Sequence, residues 1–242
     1  MNKKQIKSIT VQDKTIVYEL ERKNVKNVNL RIRQNGTVYI SAGPFVPNQF
    51  IEDFIRKKKD YIFSSIKRFE EIARYRPQPK QYVSGEAFYI LGHELRLAVS
   101  QAAKQRVYSD GVYLYLFVKD TADYASKEKA VLRYLDAQCK ETFSGILLEV
   151  YPQFAKYGVS LPQLRIRNME TRWGSCLSKK GIITLNKHLL EAPRNCIEYV
   201  ITHELCHFIH PNHSKQFYEM LTLFMPDWKN QKKILDERIL IP

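Results

Sequence analysis

No apolar run in the 242 residues approaches the roughly 20 that a membrane-spanning helix needs, which excludes a helical membrane protein. The N-terminal residues lack the apolar core of a secretory signal, so the expected location is the cytoplasm. Cysteine is scarce: the residues at 139, 176, 196 and 206 form no C-x-x-C pair and are too few for a disulfide framework. They are expected as buried thiols in a reducing compartment. A phosphate-cradling P-loop, internal repeats and low-complexity segments are also missing. Acidic side chains are in deficit, 25 against 39 Lys and Arg, and the formal charge of +14 points to an anionic partner or surface.

What is present is the composition of an ordinary globular protein, 44% hydrophobic and 26% charged, long enough for one sizeable core or two modest ones. The charge surplus is uneven. Residues 1–80 carry 18 basic against 8 acidic groups, residues 81–160 carry 9 against 9, and residues 161–242 carry 12 against 8. The basic first third either solubilises the chain or meets nucleic acid, and charge alone does not choose between them. Alternation marks strands over 8–20 and 25–41, with Leu30 and Ile32 on one face, Arg31 and Arg33 on the other, and Asn35-Gly36 as a hairpin turn. A stripe of Phe50, Phe54, Ile55, Ile62, Ile66 and Phe69 predicts one helix from about Pro47 to Ala73, carrying the Arg56-Lys57-Lys58-Lys59 run, with Arg76–Lys80 as a linker. Short strands at 81–91, 94–99, 105–109 and 112–118 suggest a small antiparallel sheet, followed by a long helix over 126–157 and strands at 161–167 and 182–186. The expected organisation is a basic β/α region over 1–80, a small antiparallel β region over 81–125 and a catalytic domain over 126–242.

Four of the six histidines fall between 203 and 213. On a helix, His203 and His207 are i and i+4 and share a face, so both imidazoles can reach one zinc ion, with Glu204 beside them to act on its water. Pro193 can open this helix, Ile197, Val200, Ile201 and Phe208 give it a core-facing stripe, and Pro211 should end it near His210. Past that turn, His213 is the expected third ligand. His210 is the alternative, but it would lie in a row with the other two along one helix axis, whereas a tetrahedral ion favours a ligand from another direction. Three ligands with a fourth position open describe a catalytic site holding one Zn2+. The competing reading is a core helix whose histidines only hydrogen-bond. Cys206 points about 100° away from the ligand face and is read as packing.

The segments Arg172-Trp173-Gly174-Ser175-Cys176, Ile183-Thr184-Leu185-Asn186, His203-Glu204-Leu205-Cys206-His207 and Asn212-His213-Ser214 together resemble the YgjP-like metallopeptidase family. Val83-Ser84-Gly85-Glu86, Ile90-Leu91-Gly92 and Leu30-Arg31-Ile32-Arg33 extend the resemblance over most of residues 15–236. It implies an α+β fold: a zincin-like catalytic domain with an active-site helix and small sheet, preceded by a β-rich basic N-terminal region. It also implies a polypeptide substrate paired to an edge strand, here Gly181 to Lys187, which makes Ile183, Thr184, Leu185 and Asn186 candidate substrate-binding residues. Trp173 is either a further substrate contact or packing beneath the metal helix. Arg172 is either the second oxyanion donor beside the ion or a surface arginine. The family's similarity to SprT-like proteases, some of which act on DNA-attached proteins, suggests nucleic-acid-associated substrates. Two other functions use the same residues. One is a metal-dependent nucleotide phosphohydrolase, against which the missing P-loop stands. The other is a zinc-stabilised nucleic-acid-binding protein, which has no use for Glu204.

Overall fold

The computed structural model describes residues 4–33, 35–74, 79–169 and 171–238. Two compact units divide the chain at residues 77 and 78. The expected Arg76–Lys80 linker falls at this division, with residues 75–78 outside the described residues. Among the described residues no helix is long and apolar enough to cross a membrane.

The first unit is a four-stranded sheet with helices on one face. Strands β1 (Gln5–Val11), β2 (Lys14–Arg22), β3 (Asn29–Ile32) and β4 (Val38–Ala42) lie in the order β1-β2-β4-β3, with β2 and β4 parallel. The run 8–20, read as one strand, is instead a hairpin, because Gln12 and Asp13 both take positive φ and return the chain. The Asn35-Gly36 turn forms as expected and pairs Ile32 with Val38. Alternate residues Ile16, Tyr18, Leu20, Val38 and Ile40 face the core with Ile51, Ile55 and Ile62 of α1 (Asn48–Lys57) and α2 (Lys59–Arg74). The single helix expected over 47–73 is therefore two. It breaks at Lys58, whose backbone leaves helical geometry at ψ 9° while its N–H still bonds back to α1.

In the second unit, strands β5 (Ala87–Ile90), β6 (His93–Gln101), β7 (Arg106–Ser109) and β8 (Tyr113–Val118) lie in the order β5-β6-β8-β7. The sheet is not wholly antiparallel, since β6 and β8 run parallel. Helix α3 (Tyr124–Val150) is capped by Asp123, which accepts from Ser126 N at 3.0 Å. Its first half packs Ala130 and Val131 on this sheet, and its second half packs Phe143, Ile146, Leu147 and Val150 into the larger core. One rigid helix thus serves both cores, which is why residues 81–125 and 126–242, expected as separate regions, fall in a single unit. A short α4 (Pro152–Ala155) follows. Strands β9 (Gln163–Arg167), β10 (Gly174–Leu177) and β11 (Ile182–Asn186) then form a sheet of order β10-β11-β9. Helices α5 (Arg194–Cys206), α6 (Lys215–Phe224) and α7 (Trp228–Arg238) complete the unit.

The middle of that last sheet is β11, antiparallel to β10 and parallel to β9. This corrects the expectation of an edge strand over Gly181–Lys187. Side chains on both faces of β11 are covered, so Ile183, Leu185 and Asn186 are fully buried and Thr184 is half-buried. The two outer strands are β10, which borders the cleft, and β9.

Candidate metal centre

Helix α5 starts against a fixed stop. Its N-cap Pro193 sits on Gly92, which holds φ +83° in the β5–β6 turn, and a Cβ there would stand 3.0 Å from Pro193 Cγ. Leu91 N donates to Leu190 O at 2.8 Å and Gly92 N to Glu191 O at 3.1 Å. The axial position of the helix is therefore set by backbone contacts from the preceding sheet. From this stop, Cys196, Ile197, Val200, Ile201, Leu205 and Cys206 all point into the core. His203 and Glu204 are carried to the opposite end in defined directions. The helix closes at Cys206 with His207 as its cap, one turn before the expected end at His210. Phe208 N turns to Leu205 O and Ile209 N to Cys206 O, tightening the chain ahead of Pro211.

His203, His207 and His213 come together, with one ligand atom from each lying within 4.8 Å of the others. Their ring centroids are 5.0, 5.0 and 4.7 Å apart, and the Nε2 atoms of His203 and His213 are 3.0 Å apart. Tetrahedral bonds of the zinc–imidazole length would separate ligand nitrogens by about 3.3 Å, so this donor set fits one such ion. Burial lowers the proton affinity of His203 to a pKa of about 3, with the charges of His207 and His213 adding to the effect. Burial likewise lowers that of His207. The lone pairs of these two rings are thus free at neutral pH. His207 Nδ1 lies 3.3 Å from His210 O, and donation to that carbonyl leaves Nε2 for the ion. His210 thereby contributes its backbone, and its imidazole is not part of the cluster.

Beneath the three rings lies Phe217, fully buried, with its centroid 4.9, 4.8 and 4.8 Å from His203, His207 and His213. Ser214 caps α6 by accepting from Phe217 N at 3.4 Å, and this fixes the floor one turn after His213. Phe217 was not singled out from the sequence, although Ser214 before an apolar helix is an N-cap signal.

Glu204 is 6% exposed, and burial pushes its carboxyl up to about 8 against the opposing charge of Arg172. The space for it exists only because β10 crosses α5 at Gly174. A Cβ on Gly174 would meet Glu204 Oε1 at 2.6 Å and Val200 Cγ1 at 2.9 Å. A glycine inside a strand signals such close approach, and it was the available clue. The cleft, about 360 Å³, is lined by the three histidines, Glu204, Arg172 and the β10 residues Gly174, Ser175 and Cys176. Cys176 is thus a half-buried wall residue, unlike the other three cysteines, which are buried as expected.

Of the remaining expected contacts, none lines the cleft. Ile183 and Leu185 belong to the core, and Thr184 lies in the covered middle strand. Asn186 is a clamp: its Nδ2 donates to Met169 O at 2.8 Å and Arg172 O at 3.1 Å, while Oδ1 accepts from His188 N at 3.3 Å. It holds the segment that presents Arg172. Trp173 packs on the core and accepts from Asn186 N at 2.9 Å through its carbonyl. Trp173, Ile183, Thr184, Leu185 and Asn186, expected as substrate contacts, therefore do not line the cleft.

The domain family described as YgjP-like, metallopeptidase domain matches residues 26–238 of the chain. Two solved structures are similar to part of it: the metallopeptidase zymogens of Pyrococcus abyssi abylysin and of Methanocaldococcus jannaschii jannalysin. Each is 20% identical, with a TM-score of 0.36, and the likeness covers 40% of this chain and 96% and 97% of theirs respectively. No curated protein matches.

Proposed function

Since the chain belongs to the YgjP-like metallopeptidase family, we propose that it hydrolyses peptide bonds with one zinc ion held by His203, His207 and His213 and with Glu204 as general base. Metal-dependent peptidase activity comes with the family, and the roles below are assigned from this chain's own residues. The observation that carries the reading is the convergence of three imidazoles on one point beside a carboxylate buried against Gly174. When bound, the ion supplies Lewis acidity, polarising a substrate carbonyl and making water a stronger nucleophile.

Glu204 accepts a proton from the attacking water at a carboxylate oxygen and returns it to the leaving amide nitrogen. Burial alone raises the proton affinity of this carboxyl, and a divalent ion held by the three histidines would lower it again, leaving the carboxylate to meet the water. Arg172 lines the same cleft and supplies a fixed positive charge for the oxygen that becomes negative.

The substrate lies along β10 in this reading. The Asn186–Trp173 bond sets the alternation of the antiparallel ladder, so the main-chain groups of Gly174 and Cys176 point to the outer side of β10. An extended peptide pairing there runs past the three histidines, and main-chain pairing tolerates varied side chains.

The test is hydrolysis of an unfolded polypeptide by zinc-loaded protein, beside its Glu204→Gln variant. The variant is expected to keep its zinc and lose about a hundredfold to ten-thousandfold in rate. Substantial residual turnover, or hydrolysis of nucleoside triphosphates in place of peptide, defeats the assignment.

A further inference from the structure

The face of the first sheet turned away from α1 and α2 carries a second concave site, about 540 Å³ in volume. Side chains alternate along each strand, so residues 29, 31, 39 and 41 lie on the opposite face from Leu30, Ile32, Val38 and Ile40, which join the core. Lys4, Lys23, Arg31 and Arg33 line the cavity, and no carboxylate does.

Three of these cations are held in place. Lys4 and Arg33 stand 3.7 and 3.6 Å from Glu19 Oε2, and Lys23 stands 2.7 Å from Glu21 Oε2. The same three surround Tyr39, at 5.9, 5.5 and 5.4 Å from its ring centroid, while the Tyr39 hydroxyl donates to Glu21. Arg31, across from Tyr39 on β3, is exposed and has no hydrogen-bond or ion-pair partner among the described residues. Its guanidinium fork is therefore available.

We propose that this face binds a ligand carrying two or more consecutive phosphate groups. Setting Glu19 and Glu21 against the four cations leaves a surplus of two positive charges, which a ligand with at least two negative charges complements. Phosphate groups match the Arg fork bidentately and carry high charge in a small volume. The cavity is of the size that takes a small phosphorylated molecule, and it can equally take a few linked phosphates of a strand. The Tyr39 ring is already engaged by three cations. Recognition runs through phosphates and does not depend on the base. The site shares no lining residue with the metal centre.

The full-length protein is titrated with tripolyphosphate, with a fluorescent single-stranded oligothymidylate and with polyglutamate. Arg31→Gln should weaken phosphate binding about tenfold and Arg31→Glu further, the loss expected when one charge-assisted contact is removed. Both substitutions fall on an exposed, partner-free side chain, and circular dichroism checks that the fold is kept. Lys57→Gln with Lys58→Gln removes two exposed charges elsewhere in the unit and should leave binding within about twofold. Dependence on Arg31 for tripolyphosphate identifies a free ligand. The same dependence for the oligonucleotide alone identifies a polymer. The proposal is overturned by binding indifferent to Arg31→Glu, by an equal loss in the Lys57/Lys58 variant, or by polyglutamate binding as tightly as the phosphates.

Discussion

Adding one methyl group at Gly174 separates the carboxylate from the metal ligands. The alanine Cβ would sit 2.6 Å from Glu204 Oε1, 2.9 Å from Glu204 Cγ and 2.9 Å from Val200 Cγ1, where ordinary contact begins at 3.4 Å. Relief requires about 0.8 Å at the carboxylate oxygen and about 0.5 Å at Val200. Strand β10 cannot easily retreat, because it is paired along its length to the buried β11. Val200 is fixed in the core side of α5. The flexible end of Glu204 therefore gives way. Gly174 does not hold positive φ, so alanine brings no backbone penalty and the effect is steric. A reacting group displaced by about 1 Å loses on the order of a hundredfold in rate, and overpacking costs about 1–3 kcal/mol. At this chain length Tm falls by about 2–4 °C for each kcal/mol. Turnover of an unfolded polypeptide, bound zinc and Tm are measured together on Gly174→Ala. The expected result is turnover reduced about a hundredfold, a lowered Tm and unchanged zinc, since no ligand is touched. Wild-type turnover with unchanged Tm would refute the close packing, and loss of zinc would show that the strand supports the ligands instead.

His213→Ala should strip the metal on dialysis against a weak chelator, whereas His210→Ala should retain it, because only the His210 carbonyl engages His207. The opposite ranking of metal contents would reassign the third ligand. Asn186→Ala leaves the carbonyls of Met169 and Arg172 without their donor, and should destabilise the protein by about 1–3 kcal/mol in denaturant unfolding. Activity should fall more than stability accounts for if the Arg172 segment is released. In metal-free protein, the folded state binds the Glu204 proton up to about pH 8, whereas the unfolded chain releases it near 4.5. That contribution is whole below pH 4.5 and declines as pH rises to 8, by at most about 1.4 kcal/mol per pH unit. Glu204→Gln should remove this decline, and identical pH profiles for the two proteins would contradict the burial of the carboxyl.

The helix carrying His203, the turn after it and the Asn35-Gly36 hairpin were legible because local chemistry dictates them: i, i+4 histidines, a proline stop and a turn glycine. Elsewhere the local signals were silent or misread. Gln12-Asp13 turns the chain without the usual Asn-Gly or Asp-Gly signature, and Lys58 breaks a helix without proline or glycine. The parallel pairing of β6 with β8 joins strands that are not consecutive, and no residue in either encodes it. The position of β11 was written more plainly. Ile182, Ile183 and Leu185 put apolar side chains on both faces, the mark of a strand covered on each side, and an edge strand would have alternated. Gly174 carried its own signal, but what it made room for became visible only once β10 and α5 were seen to cross.

All three imidazoles and the carboxylate fall within residues 203–213, while the strand that walls the cleft is Gly174–Leu177, before α5. Closing so short a loop carries little entropy cost, so the three histidines stay close to one another in the unfolded chain as well. An ion held by the unfolded chain lowers the free energy of that state as well. The rise in Tm on adding metal then measures the difference between two affinities and falls short of what the native affinity alone would give.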